Sequence, residues 1–330
     1  MSPAAPATVG EVAGTLRQRV LLVTGKGGVG KSSVAAGLAV AGARQGLRVL
    51  LVELGARAVL GELLGGKSAS HRPKRVIEER YPSLWVAHLD PRIALQEYLS
   101  EALKVRSLAK LATENRVLAR LWQAAPSVDE MAVLTALERF ERARDADDRE
   151  RPRYDRIVVD MPATGHAKAT LAVPRGALGM IRVGSLADRA RSVDRMLHDR
   201  EKTAVIVVTL PEELPANETV QLAHDLDDEL DLEVRMVVIN AVLARVFDER
   251  ERDVLNEVAG ELSDDAGLRL LAASTRRSER QVLQSEQIVS LRNRLDTEFL
   301  EVAFTQAQGV DLVEHISNAV SSSLAEGGLR

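Results

Sequence analysis

Residues 25–33 read Gly25-Lys26-Gly27-Gly28-Val29-Gly30-Lys31-Ser32-Ser33, directly after the apolar run RVLLVT at 19–24. Glycines at this density let a backbone turn tightly enough for successive N–H groups to converge on one anion. A helix starting behind them adds its dipole. The spacing GxxxxGK[ST] then brings an ammonium, Lys31, to the β- and γ-phosphates and a hydroxyl, Ser32, to a Mg2+ ion. Ser33 is left to cap the turn or touch the α-phosphate. Gly27, Gly28, Val29 and Gly30 complete the cradle. The chemistry predicted is binding of a nucleoside triphosphate with Mg2+. No NKxD or TKxD stretch is present to accept guanine, so ATP is the nucleotide expected.

Such a loop needs a strand before it and a helix after it, and the chain supplies both. SSVAAGLAVAGARQG suits a helix. Val/Ile/Leu-rich runs recur at 48–53, 84–89, 156–160, 203–209, 234–240 and 298–304, with helical stretches between them and a last helix near 310–323. Short apolar runs of this kind suit buried parallel strands, and their alternation with helices predicts an α/β fold with a doubly wound, mostly parallel sheet. Ligands of such sheets sit beyond the carboxyl ends of the strands. Between the third and fourth runs, Leu95, Tyr98, Leu99, Ala102, Leu103, Val105, Leu108, Leu111, Leu118 and Trp122 follow helical spacing, which predicts an inserted helical lobe. The stretch ERARDADDRERPR at 141–153 is charge-dense and reads as a solvated connection.

Composition narrows the classes. A charge of −4 gives no field toward nucleic acid, and no nucleic-acid partner is expected. The absence of cysteine excludes disulfides, thiolate zinc sites and a cysteine nucleophile, so any metal is held by oxygen or histidine. The N-terminal stretch is Ala/Pro-rich without the apolar core of a signal peptide, and no run is long enough to span a bilayer. The expectation is a cytoplasmic protein without stable membrane insertion: a flexible segment at 1–18, then one nucleotide-binding domain at 19–330. That domain would carry a helical insert at about 92–150 and a second helical segment at about 165–200.

GKGGVGKS, with its additional Lys26, resembles the deviant Walker A signature of the P-loop ATPases that include the arsenite-pump ATPase ArsA, the tail-anchored-protein targeting ATPase of the GET pathway, and the MinD and ParA groups. The resemblance implies a dimer in which Lys26 reaches across the interface to stabilise charge on the partner's nucleotide. Four further segments resemble the ArsA and GET-type branch. Asp160-Met161-Pro162-Ala163-Thr164-Gly165-His166 is similar to its DxxPTGH switch, with the proline one place early. Pro126-Ser127-Val128-Asp129-Glu130 is similar to its PGxDE segment, Pro211-Glu212 with Glu218-Thr219 to its PE…ET stretch, and Asn240 to its adenine-contacting asparagine. By this resemblance Asp160 closes a strand to hold a Mg2+-bound water and Glu53 supports the metal, while Lys26 and Lys31 stabilise the transferring phosphoryl group. Taken as bare residues, Asp160 and Thr164 could cap a turn, a reading that ranks second because a phosphate-loop fold needs an acidic strand end there, while Asp129 and Glu130 are equally suited to a helix's first turn.

The pattern breaks at the first switch. The aspartate that orients the attacking water in the family falls on Gly55, which carries no base, and Glu53 is two residues away. Slow or partner-dependent hydrolysis is the expectation. Paired bacterial ArsA-like ATPases differ at this switch, so the partner is either a second copy or a paralogous ArsA-like subunit, with a further protein docked through the helical lobe. The missing cysteines also remove the family's zinc clasp and arsenite-sensing thiols. A tail-anchored-protein targeting ATPase is the alternative, and it requires an apolar groove. A MinD- or ParA-like positioning role ranks below it, because the tail GVDLVEHISNAVSSSLAEGGLR has no basic amphipathic face.

Overall fold

A computed structural model describes residues 14–54, 58–75, 77–102, 127–245, 248–258 and 265–327. Its strands are β1 (Val20–Gly25), β2 (Val49–Glu53), β3 (Lys74–Arg75), β4 (Leu84–His88), β5 (Arg156–Asp160), β6 (Thr203–Thr209), β7 (Val234–Val242) and β8 (Glu298–Ala303). They form one sheet in the order β3-β4-β2-β5-β1-β6-β7-β8. All seven strands expected from the apolar runs are parallel neighbours. The eighth, β3, is a two-residue antiparallel edge on β4. It carries no apolar pattern, and the Arg75 guanidinium over the Trp85 ring marks its place.

The helices are α1 (Lys31–Arg44), α2 (Leu60–Leu63), α3 (Pro91–Ala102), α4 (Val128–Arg142), α5 (Thr164–Met180), α6 (Ser185–His198), α7 (Glu213–Leu230), α8 (Glu249–Val258), α9 (Asp265–Arg294) and α10 (Gly309–Gly327). Strand side chains alternate faces, so β1 sends Val20 and Leu22 into one apolar cluster and Leu21 and Val23 into the other. The second cluster is closed by α1 and α10. A Cβ at Gly37 would stand 2.4 Å from Ile316 Cγ2, so the Ala/Gly-rich face of α1 is what lets α10 approach. Helices α3 to α7 cover the other face. Leu95, Tyr98 and Leu99 of α3 are buried there with Met131, Leu134 and Leu137 of α4, so that stripe is core. The remainder of the lobe stripe, 103–126, lies outside the described residues, as do 1–13 of the N-terminal stretch. Thr15, Leu16 and Gln18, within the segment expected to be flexible, are buried.

The charged stretch at 141–153 is mostly exposed yet tied down from beneath. Arg48, at the entrance to β2, donates from Nε to Asp155 Oδ2 (3.0 Å), from Nη2 to Asp155 Oδ1 (2.9 Å) and to the Pro152 carbonyl (2.5 Å), and also bonds Asp145. Arg48's hydrogen bonds hold the Asp155 carboxyl below its usual range, against a smaller opposing effect of burial. Arg48→Met is expected to cost roughly 2 kcal/mol at neutral pH, because it leaves a partly buried carboxylate and a carbonyl without their donor. A depressed native pKa contributes stability above 3.8, and that stability is lost as pH falls through the native value. Urea midpoints of the two proteins therefore separate at pH 7 and converge on acidification.

Candidate functional site

Parallel strands bring Gly25 at the end of β1, Glu53 at the end of β2, Asp160 at the end of β5 and Asn240 near the end of β7 to one carboxyl edge of the sheet. This is the edge at which doubly wound sheets bind ligands. The loop from Gly25 to Gly30 leaves it and enters α1. Gly25 has φ +142°, and a Cβ there would meet the Val208 carbonyl oxygen at 2.1 Å, so β6 passes too close for a side chain. Gly30, at φ +93°, caps α1 in the left-handed region without a side-chain acceptor, and the first turn of α1 holds no acidic residue. The N–H groups of that turn are thus presented at a positive helix end.

The side chains expected to grip phosphate are close together. Lys31 Nζ donates to the Lys26 carbonyl at 2.8 Å, and burial lowers its pKa while Asp160 partly offsets the effect. Ser32 Oγ donates to Asp160 Oδ2 at 2.6 Å. Asp160 is 6% exposed and its Oδ1 has no hydrogen-bond partner. Burial pushes its carboxyl up to about 6, against the Ser32 bond and the Lys31 charge. Glu53 sits opposite Asp160 in the β2–β5 register. Its carboxylate accepts the Val59 N–H at 2.8 and 3.1 Å, at the entry to α2, and burial raises its pKa.

Among the described residues no group of three or more His, Asp or Glu is arranged to hold a metal. Mg2+ keeps several waters and takes few protein ligands beside phosphate oxygens. The orphaned Asp160 Oδ1 and the Ser32 hydroxyl are chemically fitted to it. Gly55, at the expected switch-aspartate position, lies outside the described residues.

Three contacts were not foreseen from the sequence. Lys26 Nζ is paired with Glu218 Oε1 of α7 at 2.6 Å, across 192 residues. Asn240, expected at an adenine, donates from Nδ2 to the Val29 carbonyl at 2.9 Å. His166 Nε2 stands 3.9 Å from Glu130 Oε1, so the PSVDE and DMPATGH segments meet. No local pattern encodes any of these, although each joins segments that carry a motif. Val29 itself is buried in the core cluster under α1, and Ser33 is half-buried. Arg182, Arg191 and Arg195 are exposed beside the apolar Met180 and Val183, whose exposures are 81% and 82%.

Among the described residues no helix is long and apolar enough to cross a membrane. A sequence model of the Anion-transporting ATPase family matches residues 18–181 and 179–258. The chain is similar to ATPase BagA of Mycobacterium tuberculosis, 27% identical over 94% of each protein. It also resembles the Arsenical pump-driving ATPase of Escherichia coli, 29% identical over 63% of this chain and 32% of that protein. ATPase ARSA1 of Chlamydomonas reinhardtii is 24% identical over 71% of this chain and 36% of its own length. With the glycine-rich cradle, the Ser32–Asp160 pair and the parallel sheet that carries them, these matches establish that the chain belongs to the Anion-transporting ATPase family.

Proposed function

We propose that this chain is an ATP-binding dimeric switch whose nucleotide state controls the docking of a protein partner, with slow or partner-dependent hydrolysis. The observation that carries the reading is the difference between its two loop lysines. Lys31 turns into the cradle, on the Lys26 carbonyl, while Lys26 turns away from it to Glu218 and remains partly exposed. The first is suited to the chain's own phosphates and the second to a charge outside them.

In this reading the loop amides and the first turn of α1 bind the β- and γ-phosphates, and Lys31 leaves the Lys26 carbonyl to join them. Mg2+ would neutralise charge between those phosphates. Ser32 would hold the ion through its hydroxyl, and the freed Asp160 carboxylate would hold it by way of one of its waters. Lys26 exchanges Glu218 for the partner subunit's nucleotide. Among the described residues Glu53 and Asp160 are the carboxylates that close β2 and β5, and Glu53 is committed to Val59, which supports weak hydrolysis without help. The subunit would be one ATPase domain over 19–330, its docking surface drawn from the helical segments at about 92–150 and 165–200. The dimer is of two copies or of this chain with a paralogue. The tail-anchored-protein targeting alternative is favoured only by the exposed Met180, Ile181 and Val183.

Calorimetry with Mg-ATP, followed by sizing, tests the switch. The wild-type chain should bind and then dimerise, and Lys26→Ala should bind with little loss while remaining monomeric. Glu218→Gln frees Lys26 from a partly exposed ion pair and should favour the dimer about two- to fivefold. A chain that stays monomeric when saturated with Mg-ATP and a slowly hydrolysed analogue, alone and with its paralogue, would not be a dimeric switch.

A further inference from the structure

Asn240 occupies a position where the backbone departs from a regular strand. Pairing of β7 with β8 slips between Ile239 and Val242, so Asn240 and Ala241 lie outside the ladder. Ala241 has φ +58°, a left-handed conformation that a residue with a Cβ adopts only under local constraint. The constraint is visible: Ala241 N–H donates to Asn240 Oδ1 at 2.9 Å. A slip of this kind re-aims a side chain, and here it aims the Asn240 amide at the phosphate loop. Nδ2 donates to the Val29 carbonyl at 2.9 Å. A Cβ on Gly30 would stand 2.4 Å from the same nitrogen, so the loop is in van der Waals contact with this amide as well as bonded to it. The amide's orientation is fixed by its partners, because a flip would set oxygen against the Val29 carbonyl and nitrogen against the Ala241 N–H.

We infer that Asn240 is a positioning residue for the phosphate loop. It braces the Val29–Gly30 peptide so that the loop amides converge before any nucleotide arrives. An asparagine amide has two N–H donors and an oxygen with two lone pairs, and the loop and Ala241 use one of each. The second donor and the second lone pair remain for an adenine edge. One rigid amide would then connect base and phosphates, so that adenine recognition and loop geometry depend on the same side chain. This rests on the nucleotide-binding reading above but makes a separate claim, that Asn240 acts on a ligand with no base.

The test uses Mg-tripolyphosphate beside Mg-ATP, with Asn240→Asp and Asn240→Ala. Asn240→Asp keeps the acceptor for Ala241 and removes the donor to Val29, whereas Asn240→Ala deletes both contacts without adding charge. Both variants should bind tripolyphosphate about tenfold more weakly than the wild type, the loss of one aligned hydrogen bond in a preformed site. ATP affinity should fall at least as far. Amide exchange at 27–31 in the ligand-free chain should quicken in both variants, with protection of the sheet core unchanged. Loss of ATP affinity with tripolyphosphate affinity intact and exchange unaltered would overturn the inference and leave Asn240 a contact of the base alone. A wild-type chain that binds neither ligand would instead sink the nucleotide-binding reading, and the exchange measurement would still decide the brace.

Discussion

Lys31→Ala should weaken Mg-ATP binding at least about thirtyfold and leave the fold nearly as stable as before. Lys31 is a half-buried ammonium whose one hydrogen bond goes to a carbonyl of its own loop, and burial already lowers its pKa. That arrangement would be weak without nucleotide and strong with it. The loop carbonyl gives a single neutral acceptor, whereas a triphosphate gives several charged ones at the same place. Removing one member of a desolvated charge pair costs about 2–5 kcal/mol, so the affinity for Mg-ATP should drop by at least about thirtyfold. Thermal unfolding without ligand should move by no more than a few degrees, because the alanine also relieves the desolvation of an ammonium. The check is calorimetry and a thermal scan on the same preparation. If Lys31→Ala bound Mg-ATP within threefold of wild type, the phosphates would not lie where the loop geometry puts them.

The fold was legible because its central strands β1, β2, β5 and β6 are buried along their whole length. Runs such as VLLVT and VIVVT cannot sit at a surface, and the helix periods between them leave few sheets that satisfy short right-handed connections. What escaped was structure held by polar or edge contacts. β3 is two charged residues, Lys74 and Arg75, on the outer side of β4. α9 lies in a stretch expected to be helical, but it runs 30 residues with only Ser278, Gln284 and Leu291 buried, so no apolar stripe marked its length. The site divides in the same way. Lys31, Ser32 and Asp160 were legible because a phosphate loop prescribes spacing along the chain and an acidic strand end beside it. The cis partner of Lys26 was not legible, because Glu218 reaches the loop only after α7 has packed against the sheet. The bracing role of Asn240 depends on a register slip between β7 and β8 that no residue type signals.

Asp160→Asn should reverse the order of stability of the two proteins according to whether Mg-ATP is present. Burial drives the carboxyl up to about 6, with the Ser32 hydrogen bond and the Lys31 charge opposing it. A carboxyl with a raised native pKa prefers its proton in the folded state, so ionisation is a cost to folding. Below pH 3.8 both states are protonated and the cost is absent; between 3.8 and about 6 it grows, and above about 6 it is complete. At about 1.4 kcal/mol per pH unit, the rise comes to roughly 3 kcal/mol. Asparagine cannot ionise and still accepts the Ser32 hydroxyl, so the ligand-free variant should unfold at higher denaturant than wild type at pH 7.5 and match it near pH 4. Saturating Mg-ATP stabilises the native state in proportion to affinity. With a cation held nearby, the charge of wild-type Asp160 would turn from a burden into a contact, and the neutral amide would gain far less. The wild-type curve should therefore overtake the variant when Mg-ATP is added, and EDTA should restore the original order. Equal stabilisation of both proteins by Mg-ATP, or a ligand-free variant weaker than wild type at pH 7.5, would mean that this carboxylate is held by the fold for a reason other than the metal-bound nucleotide.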